Sequence, residues 1–244
     1  MLTLERRTRI LQTLNEKSAV SVAELSSLLK VSEVTVRKML NNLSRQGLVR
    51  RTRGGAVSPS RSARENDLHS KQQTNTRKKK EIARKAYELI ADNDTVYVDA
   101  GTTTLELVRL IRCGCKRNIS VVTNALNIAV ELLDVPDLEV ILTGGRLRHG
   151  VVSCVGPIAT SSVGSLVFDK AFIGVNHLTL KHGPTTPDLQ EAEIKRAASG
   201  SSEKSYLLCD STKCCGASMT KSAPLESFDG VISDSDLPPD VRRA

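Results

Sequence analysis

The sequence predicts an α/β protein in two parts: a small basic helical unit closed by a hairpin, then a larger, open, mostly parallel α/β domain. Three observations carry that expectation. In residues 1–57, two capped amphipathic segments stand two residues apart and run into an arginine-rich glycine hairpin. Beyond residue 90, short β-branched runs alternate with helical stretches. Charge divides along nearly the same line, with 20 Lys/Arg against 8 Asp/Glu in residues 1–90 and 15 against 19 in residues 91–244.

The first helix is predicted over Leu4 to Leu14, where Ile10, Leu11 and Leu14 recur at helical spacing, with an end near Glu16 and Lys17. Ser21-Val22-Ala23-Glu24 has capping-box form: the Ser hydroxyl and the Glu carboxylate each satisfy an otherwise orphan N–H of a first turn. The helix behind it turns Leu25, Leu28 and Leu29 inward. After Lys30 and Val31, Ser32 caps a second helix with Val36, Leu40 and Leu43 on one stripe and Gly47 as its stop. Leu48 to Arg53, Gly54-Gly55 and Ala56-Val57 read as two short strands around a glycine turn.

Two short helices joined by a tight turn and followed by a basic hairpin describe a winged helix-turn-helix in residues 1–57. Such a unit buries one stripe of its second helix and offers the other to a DNA groove about one helix wide. Ser32, Thr35, Arg37, Lys38 and Asn41 lie off the apolar stripe, and Arg51 and Arg53 mark the wing. These seven are the candidate contacts to double-stranded DNA. A concentrated basic region attracts a polyanion and makes binding salt-sensitive through counterion release.

Residues 58–76 are rich in Ser, Asn, Gln and charge and lack apolar periodicity, so a linker is expected there. Arg77-Lys78-Lys79-Lys80 reads as the solvated start of a helix continuing to Ile90. The second domain, residues 77–244, has strand candidates at 95–98, 119–122, 138–142, 170–175, 205–209 and 230–232. Helical patterns fall at 105–111, 125–133 and 189–198. In such an open sheet, ligands bind beyond the carboxyl ends of the strands.

Several strand ends carry residues suited to an anionic ligand. Asp99, Gly101, Thr102, Thr103 and Thr104 precede a helix whose free N–H groups would seat a phosphate. Thr123 and Asn124 close the second run, and Gly144 and Gly145, which allow close backbone approach, come after the third. Glu191 and Lys195 stand one helical turn apart, as partners in a site or as a surface ion pair. Asp210 and Lys213 close a later run.

The length supports more than one core, and no apolar run approaches the roughly 20 residues needed to cross a bilayer. No secretory-type segment stands behind the N-terminal charges, so a soluble, cytoplasmic protein without membrane association is expected. The six cysteines do not form the two spaced pairs of a structural zinc site, and they read as reduced thiols. Neither a metal nor a cofactor is called for.

Ser32 to Arg37, Arg53-Gly54-Gly55-Ala56, Asp99 to Thr104, Thr123-Asn124, Thr143-Gly144-Gly145, Thr185 to Arg196 and Asp210 to Lys213 succeed one another in a familiar order. Through them nearly the whole chain resembles the DeoR family of bacterial sugar-metabolism repressors. The resemblance implies a sensor domain similar to sugar-phosphate isomerases, a homodimer or homotetramer on repeated operator sites, and release by a phosphorylated sugar. It also implies roles: Asp99 to Thr104 take the phosphate, Thr123, Asn124, Gly144 and Gly145 line the pocket, and Lys195, Asp210 and Lys213 add polar contacts. Two departures stand out. Met39 occupies a position where the family has an acidic residue, and the chain ends soon after residues 230–232 without the apolar closing strand of relatives. An isomerase-like enzyme with a DNA-binding appendage, acting through Asp99, Glu191, Asp210 and Lys213, and a transcriptional activator are the alternatives.

Overall fold

Capping and apolar spacing shape the N-terminal unit. In the computed structural model, which describes residues 3–17, 19–46, 48–57 and 68–243, α1 (Thr3–Lys17) leads through β1 (Ala19–Ser21) into α2 (Val22–Leu29). The predicted capping box forms: the Ser21 N–H donates to Glu24 Oε2 at 2.8 Å and the Glu24 N–H donates to Ser21 Oγ at 3.1 Å. Lys30 ends α2 in the left-handed region, φ 53°, which reverses the chain at once into α3 (Glu33–Arg45). Ile10, Leu14, Leu25, Leu29, Val36, Leu40 and Leu43 bury the facing stripes of the three helices in one core. Gly47, the expected helix stop, lies outside the described residues.

The hairpin is tighter than expected and has a third strand. β2 (Arg50–Thr52) turns through Arg53 and Gly54 into β3 (Gly55–Val57), which pairs with β1 on its other side. Gly55 therefore belongs to a strand, and a Cβ there would stand 2.1 Å from the Val20 carbonyl oxygen. Three-residue β1 carries no periodicity of its own; its pairing is a tertiary event.

The chain divides into Met1–Arg64 and a second unit, Glu65–Ala244. The second opens with α4 (Leu68–Gln73), inside the stretch expected as linker, and α5 (Thr76–Glu88). A parallel sheet is then laid down by β4 (Thr95–Val98), α6 (Thr102–Cys113), β5 (Ser120–Thr123), α7 (Leu126–Leu132) and β6 (Glu139–Leu142). A hairpin, β7 (Arg146–Arg148) with β8 (Ser153–Val155), and α8 (Pro157–Gly164) lead to β9 (Phe168–Gly174). Next come β10 (His177–Thr179), β11 (Gly183–Thr186), α9 (Leu189–Gly200) and β12 (Ser202–Leu208). Short β13 (Thr220–Lys221) completes an antiparallel trio with β10 and β11, and β14 (Gly230–Ile232) and α10 (Pro239–Arg243) end the unit.

All six expected runs become strands of one sheet, in the order β14-β12-β9-β4-β5-β6 with every neighbouring pair parallel. Alternate side chains feed two cores. Val96, Val98, Val121, Phe172 and Leu208 face α5, α6 and α7, while Tyr97, Val122, Ala171, Ile173 and Leu207 pack toward α8 and α9. The chain builds outward from β4 through β5 to β6, then restarts on the other side of β4 with β9. That reversal opens a crevice beyond the carboxyl ends of β4 and β9, where open α/β sheets bind ligands. Among the described residues no helix is long and apolar enough to cross a membrane, and all six cysteines are free.

Gly55→Ala should lower the stability of the N-terminal unit by about 1–3 kcal/mol, because a methyl group has no room against the β1 backbone. Urea unfolding followed by circular dichroism measures it, and an unchanged midpoint would mean that β1 yields easily.

Candidate nucleic-acid interface and ligand pocket

On α3 the burial of Val36, Leu40 and Leu43 turns the opposite face outward. Arg37, Lys38 and Asn41 are exposed on that face and Thr35 is half-buried. Ser32 caps the helix, its Oγ accepting from the Thr35 N–H at 3.3 Å and lying 3.0 Å from the Thr35 hydroxyl, which fixes both polar groups at the N-terminal end. Arg37 pairs with Glu33 one turn earlier, at 3.1 Å. Met39 is half-buried and packs on the core, so an apolar contact occupies the position that is acidic in the family.

The two wing arginines differ. Arg53 is exposed in the turn. Arg51, expected to point outward, is half-buried and donates from Nη1 to the Gly55 carbonyl at 2.6 Å, bracing the hairpin. Its guanidinium keeps further donors, but its direction is set by the strand it supports.

The second candidate site is a cavity of about 280 Å³ at the reversal point of the sheet, near the lower end of the ~300–1,000 Å³ usual for small-molecule pockets. Asp99 ends β4 and is 2 % exposed. Its Oδ2 accepts from the Gly174 N–H at 3.0 Å and forms an ion pair with Lys195, whose Nζ also donates to the Gly174 carbonyl at 2.9 Å. One carboxylate and one ammonium thus tie the ends of β4 and β9 to α9. Burial pushes the Asp99 carboxyl above the usual carboxylate range, and Lys195 pulls it back toward the charged form.

Around this pair the pocket gathers Gly101, Thr102 and Thr103 at the start of α6, and Asp210 and Lys213 beyond β12. Gly101 is the N-cap and no side chain caps the helix, so first-turn N–H groups are available to an anion. Thr104 is turned into the helix, donating to the Gly101 carbonyl at 2.9 Å, and supports the loop from below. Asp210 Oδ1 accepts from Asn75 Nδ2 at 3.2 Å and from the Thr212 N–H at 3.1 Å, which shapes the turn presenting Lys213.

Six expected residues are not among the pocket lining: Asp99 and Thr104, which support it from behind, and Thr123, Asn124, Gly144 and Gly145. Thr123 donates to the Val98 carbonyl at 2.6 Å and accepts from the Ala125 N–H, while Asn124 joins the Tyr97 hydroxyl to the Cys154 carbonyl. Their polar groups are spent on holding neighbouring segments. Gly144 and Gly145 come after β6, which stands beyond β4 and β5 from β9, and a Cβ on Gly145 would stand 3.0 Å from Ala159 and from the Val155 carbonyl. The strand order separates these residues from the reversal point.

Glu191 and Lys195 are not a surface ion pair. They are 9 % and 5 % exposed, and each has another partner: Arg148 Nη1 lies 2.5 Å from Glu191 Oε1, the Thr186 hydroxyl donates to Glu191 Oε2 at 2.9 Å, and Lys195 holds Asp99. The candidate acid-base carboxylates are thus engaged in structural contacts. The basic run at 77–80 opens α5 as expected, with Arg77 and Lys80 exposed, but its two middle residues are not solvated. Lys78 pairs with Asp234 at 3.0 Å and Asp236 at 2.8 Å, and Lys79 is buried in the pocket wall. Sequence reasoning missed Asn75 and Lys79 as pocket residues. The available signal was that Lys79 precedes Ile82, Ala83 and Ala86 on the buried stripe of α5.

Two family models cover most of the chain: the DeoR-like helix-turn-helix domain over residues 6–62 and the DeoR C terminal sensor domain over residues 74–235. An uncharacterized HTH-type transcriptional regulator YgbI of Escherichia coli K12 is 37 % identical over 100 % of this chain and 94 % of its own. A putative aga operon transcriptional repressor of Escherichia coli O157:H7 is 35 % identical over 98 % of this chain and 88 % of its own. Among solved structures, the Pyrococcus horikoshii translation initiation factor eIF-2B aligns with TM-score 0.51 and 17 % identity over 96 % of this chain and 90 % of that one. The ribose 5-phosphate isomerase of Plasmodium falciparum aligns with TM-score 0.40 and 15 % identity over 56 % of this chain and 52 % of that one.

Lys195→Met should destabilise the second unit by about 3–5 kcal/mol at neutral pH, since it leaves Asp99 buried without its counter-ion. The raised Asp99 pKa sets the sign with pH: the folded state holds the proton more tightly than the unfolded chain, so the variant regains stability as pH falls and loses it as pH rises. Thermal unfolding at several pH values checks both, and a pH-independent deficit would remove Asp99 charge as the cause.

Proposed function

Because the chain belongs to the DeoR family of helix-turn-helix transcriptional regulators, we propose that it represses a sugar or sugar-derivative utilisation operon and leaves its operator when a phosphorylated sugar binds. The observation that carries this reading is the pocket at the sheet reversal, where Lys195, Lys213 and the uncapped start of α6 converge on a metabolite-sized cavity. A curated relative named as an operon repressor supports repression, and a lactose phosphotransferase system repressor of Lactococcus lactis, 31 % identical over 96 % of this chain, supports a sugar-linked role. All three curated relatives are named as regulators of transcription rather than as enzymes.

On the DNA side, Thr35, Arg37, Lys38 and Asn41 meet base edges in the major groove, Ser32 sets the helix start, and Arg53 holds a phosphate. Arg51 acts chiefly by bracing the wing. In the pocket, Gly101, Thr102 and Thr103 take the phosphate, Lys213 and Lys195 complement its charge, and Asp99 and Asp210 accept sugar hydroxyls. Thr104, Thr123, Asn124, Gly144 and Gly145 shape the surrounding loops. The protein works in the cytoplasm as a homodimer or homotetramer, its two-fold symmetry matching repeated operator half-sites. Release requires that the phosphosugar favour the DNA-free arrangement by its differential affinity.

Fluorescence anisotropy on the DNA upstream of the protein's own gene, at two salt concentrations and with a panel of sugar phosphates, tests the whole reading. Specific, salt-sensitive binding reversed by one phosphosugar is expected; binding that no member of a broad panel reverses would sink the effector assignment. Arg53→Ala should weaken binding across sequences and lower the salt slope by about one. Lys213→Ala should leave operator affinity intact while raising the sugar phosphate needed for release roughly tenfold or more, the loss of one charge-assisted contact.

A further inference from the structure

Lys79 and Lys195 are the two buried cations of the pocket lining, and they differ in electrostatic situation. Lys79 stands on α5, 4 % exposed, and lines the cavity with Asp210 and Lys213. Its Nζ donates to the main-chain carbonyl of Lys71 in α4. Among the described residues no carboxylate forms an ion pair with it, whereas Lys195 has Asp99 and Lys78 has two aspartates. Burial lowers its pKa, with the more distant charge of Asp210 opposing the shift. An ammonium offers three donors, and one carbonyl does not repay the desolvation of a buried cation. An anion in the cavity supplies the missing compensation.

The other end of that hydrogen bond matters as much. Helix α4 has six residues, too short to persist by itself, and the Lys71 carbonyl lies in its last turn, where it accepts from the Thr74 N–H and from Lys79. Asn75, at φ 55°, stands just beyond α4 and ties the junction to Asp210 and Thr212. In the chain, α4 comes directly after residues 58–67, the connection to the wing strand ending at Val57. Lys79 is thus a direct link between the pocket and the last turn of α4, beside the Asn75 contacts at the junction.

We propose that Lys79 is a ligand-responsive latch: the phosphate of a bound metabolite draws its ammonium off the Lys71 carbonyl, loosening α4 and so the restraint on the segment leading to the DNA-binding unit. This rests on the reading of the pocket as a phosphate site, and it adds the route by which occupancy leaves the pocket. The latch stores the cost of a poorly compensated buried cation when the pocket is empty and loses it when an anion arrives. It gives the ligand the differential affinity for a loosened α4 that any switch needs.

Hydrogen exchange on the full-length protein, titrated with inorganic phosphate, tests it. Phosphate should slow exchange in residues 99–106, over the start of α6, and speed it in residues 68–76 by roughly tenfold, about the opening equivalent of one lost hydrogen bond. In Lys79→Met, residues 68–76 should exchange fast from the outset and no longer respond. Lys79→Arg keeps the charge, and if the Met variant does not fold it carries the test, with a response in 68–76 shifted to a different phosphate concentration. Protection of 99–106 with 68–76 unmoved overturns the latch and leaves the phosphate pocket standing. Wild-type behaviour of 68–76 in Lys79→Met also overturns it. No response in either segment overturns the phosphate reading of the pocket, and the latch with it.

Discussion

The second unit is organised around one buried ion pair. Asp99 and Lys195 come from elements almost a hundred residues apart in sequence, and their contact, reinforced by the Gly174 N–H and carbonyl, closes the gap where the sheet reverses direction. A pair of charges out of water is tolerable only if each finds its counterpart and its remaining donors and acceptors are met. That demand locks the end of β4, the end of β9 and the face of α9 into one arrangement. The start of α6 comes directly after β4, so its exposed first turn is held at the edge of the same crevice. An anion placed beside this pair would meet Lys195, Lys79, Lys213 and the first turn of α6 as its sources of positive charge.

The N-terminal unit obeys a different constraint. Its core is small, and much of its definition comes from backbone satisfaction at element ends: the Ser21–Glu24 box, the Ser32 cap, the left-handed turn at Lys30, and Arg51 on the Gly55 carbonyl. These contacts hold α2 and α3 at the short separation that the helix-turn-helix needs and leave the outer face of α3 free of packing duties. The same economy governs the wing, where the side chain of one arginine becomes structural so that the turn carrying the other is well placed.

The pocket contains more of the chain than its strand ends. Asn75 and Lys79 enter from the start of the second unit, before the first strand of the sheet, and connect the cavity to α4. If that pocket takes the effector as proposed, a binding wall that includes the element nearest the linker needs no long relay.

Much of this was legible in the residues themselves. Period-3.6 stripes and capping residues located α1, α2 and α3, and six β-branched runs located all the strands of the main sheet, the inner ones because burial on both faces demands apolar continuity. Gly101, Thr102, Thr103, Asp210 and Lys213, singled out because strand ends in an open sheet are predictable places for polar groups, do border the cavity, as does Lys195 from α9, while Asp99 stands behind it as the partner of Lys195. What local pattern could not supply was partnership. Strand β1 exists only through β3, the hairpin β7–β8 and the trio β10, β11 and β13 are too short to show a period, and the β14-β12-β9-β4-β5-β6 order is a property of the whole sheet. That order set Gly144 and Gly145 away from the pocket, neighbouring segments claimed the polar groups of Thr123 and Asn124, and tertiary packing paired Lys195 with Asp99 rather than Glu191 and buried Lys79. A sequence states which groups are polar and at what spacing; which of them lose water, and against whom, is settled only when distant segments fold together and desolvation has to be repaid.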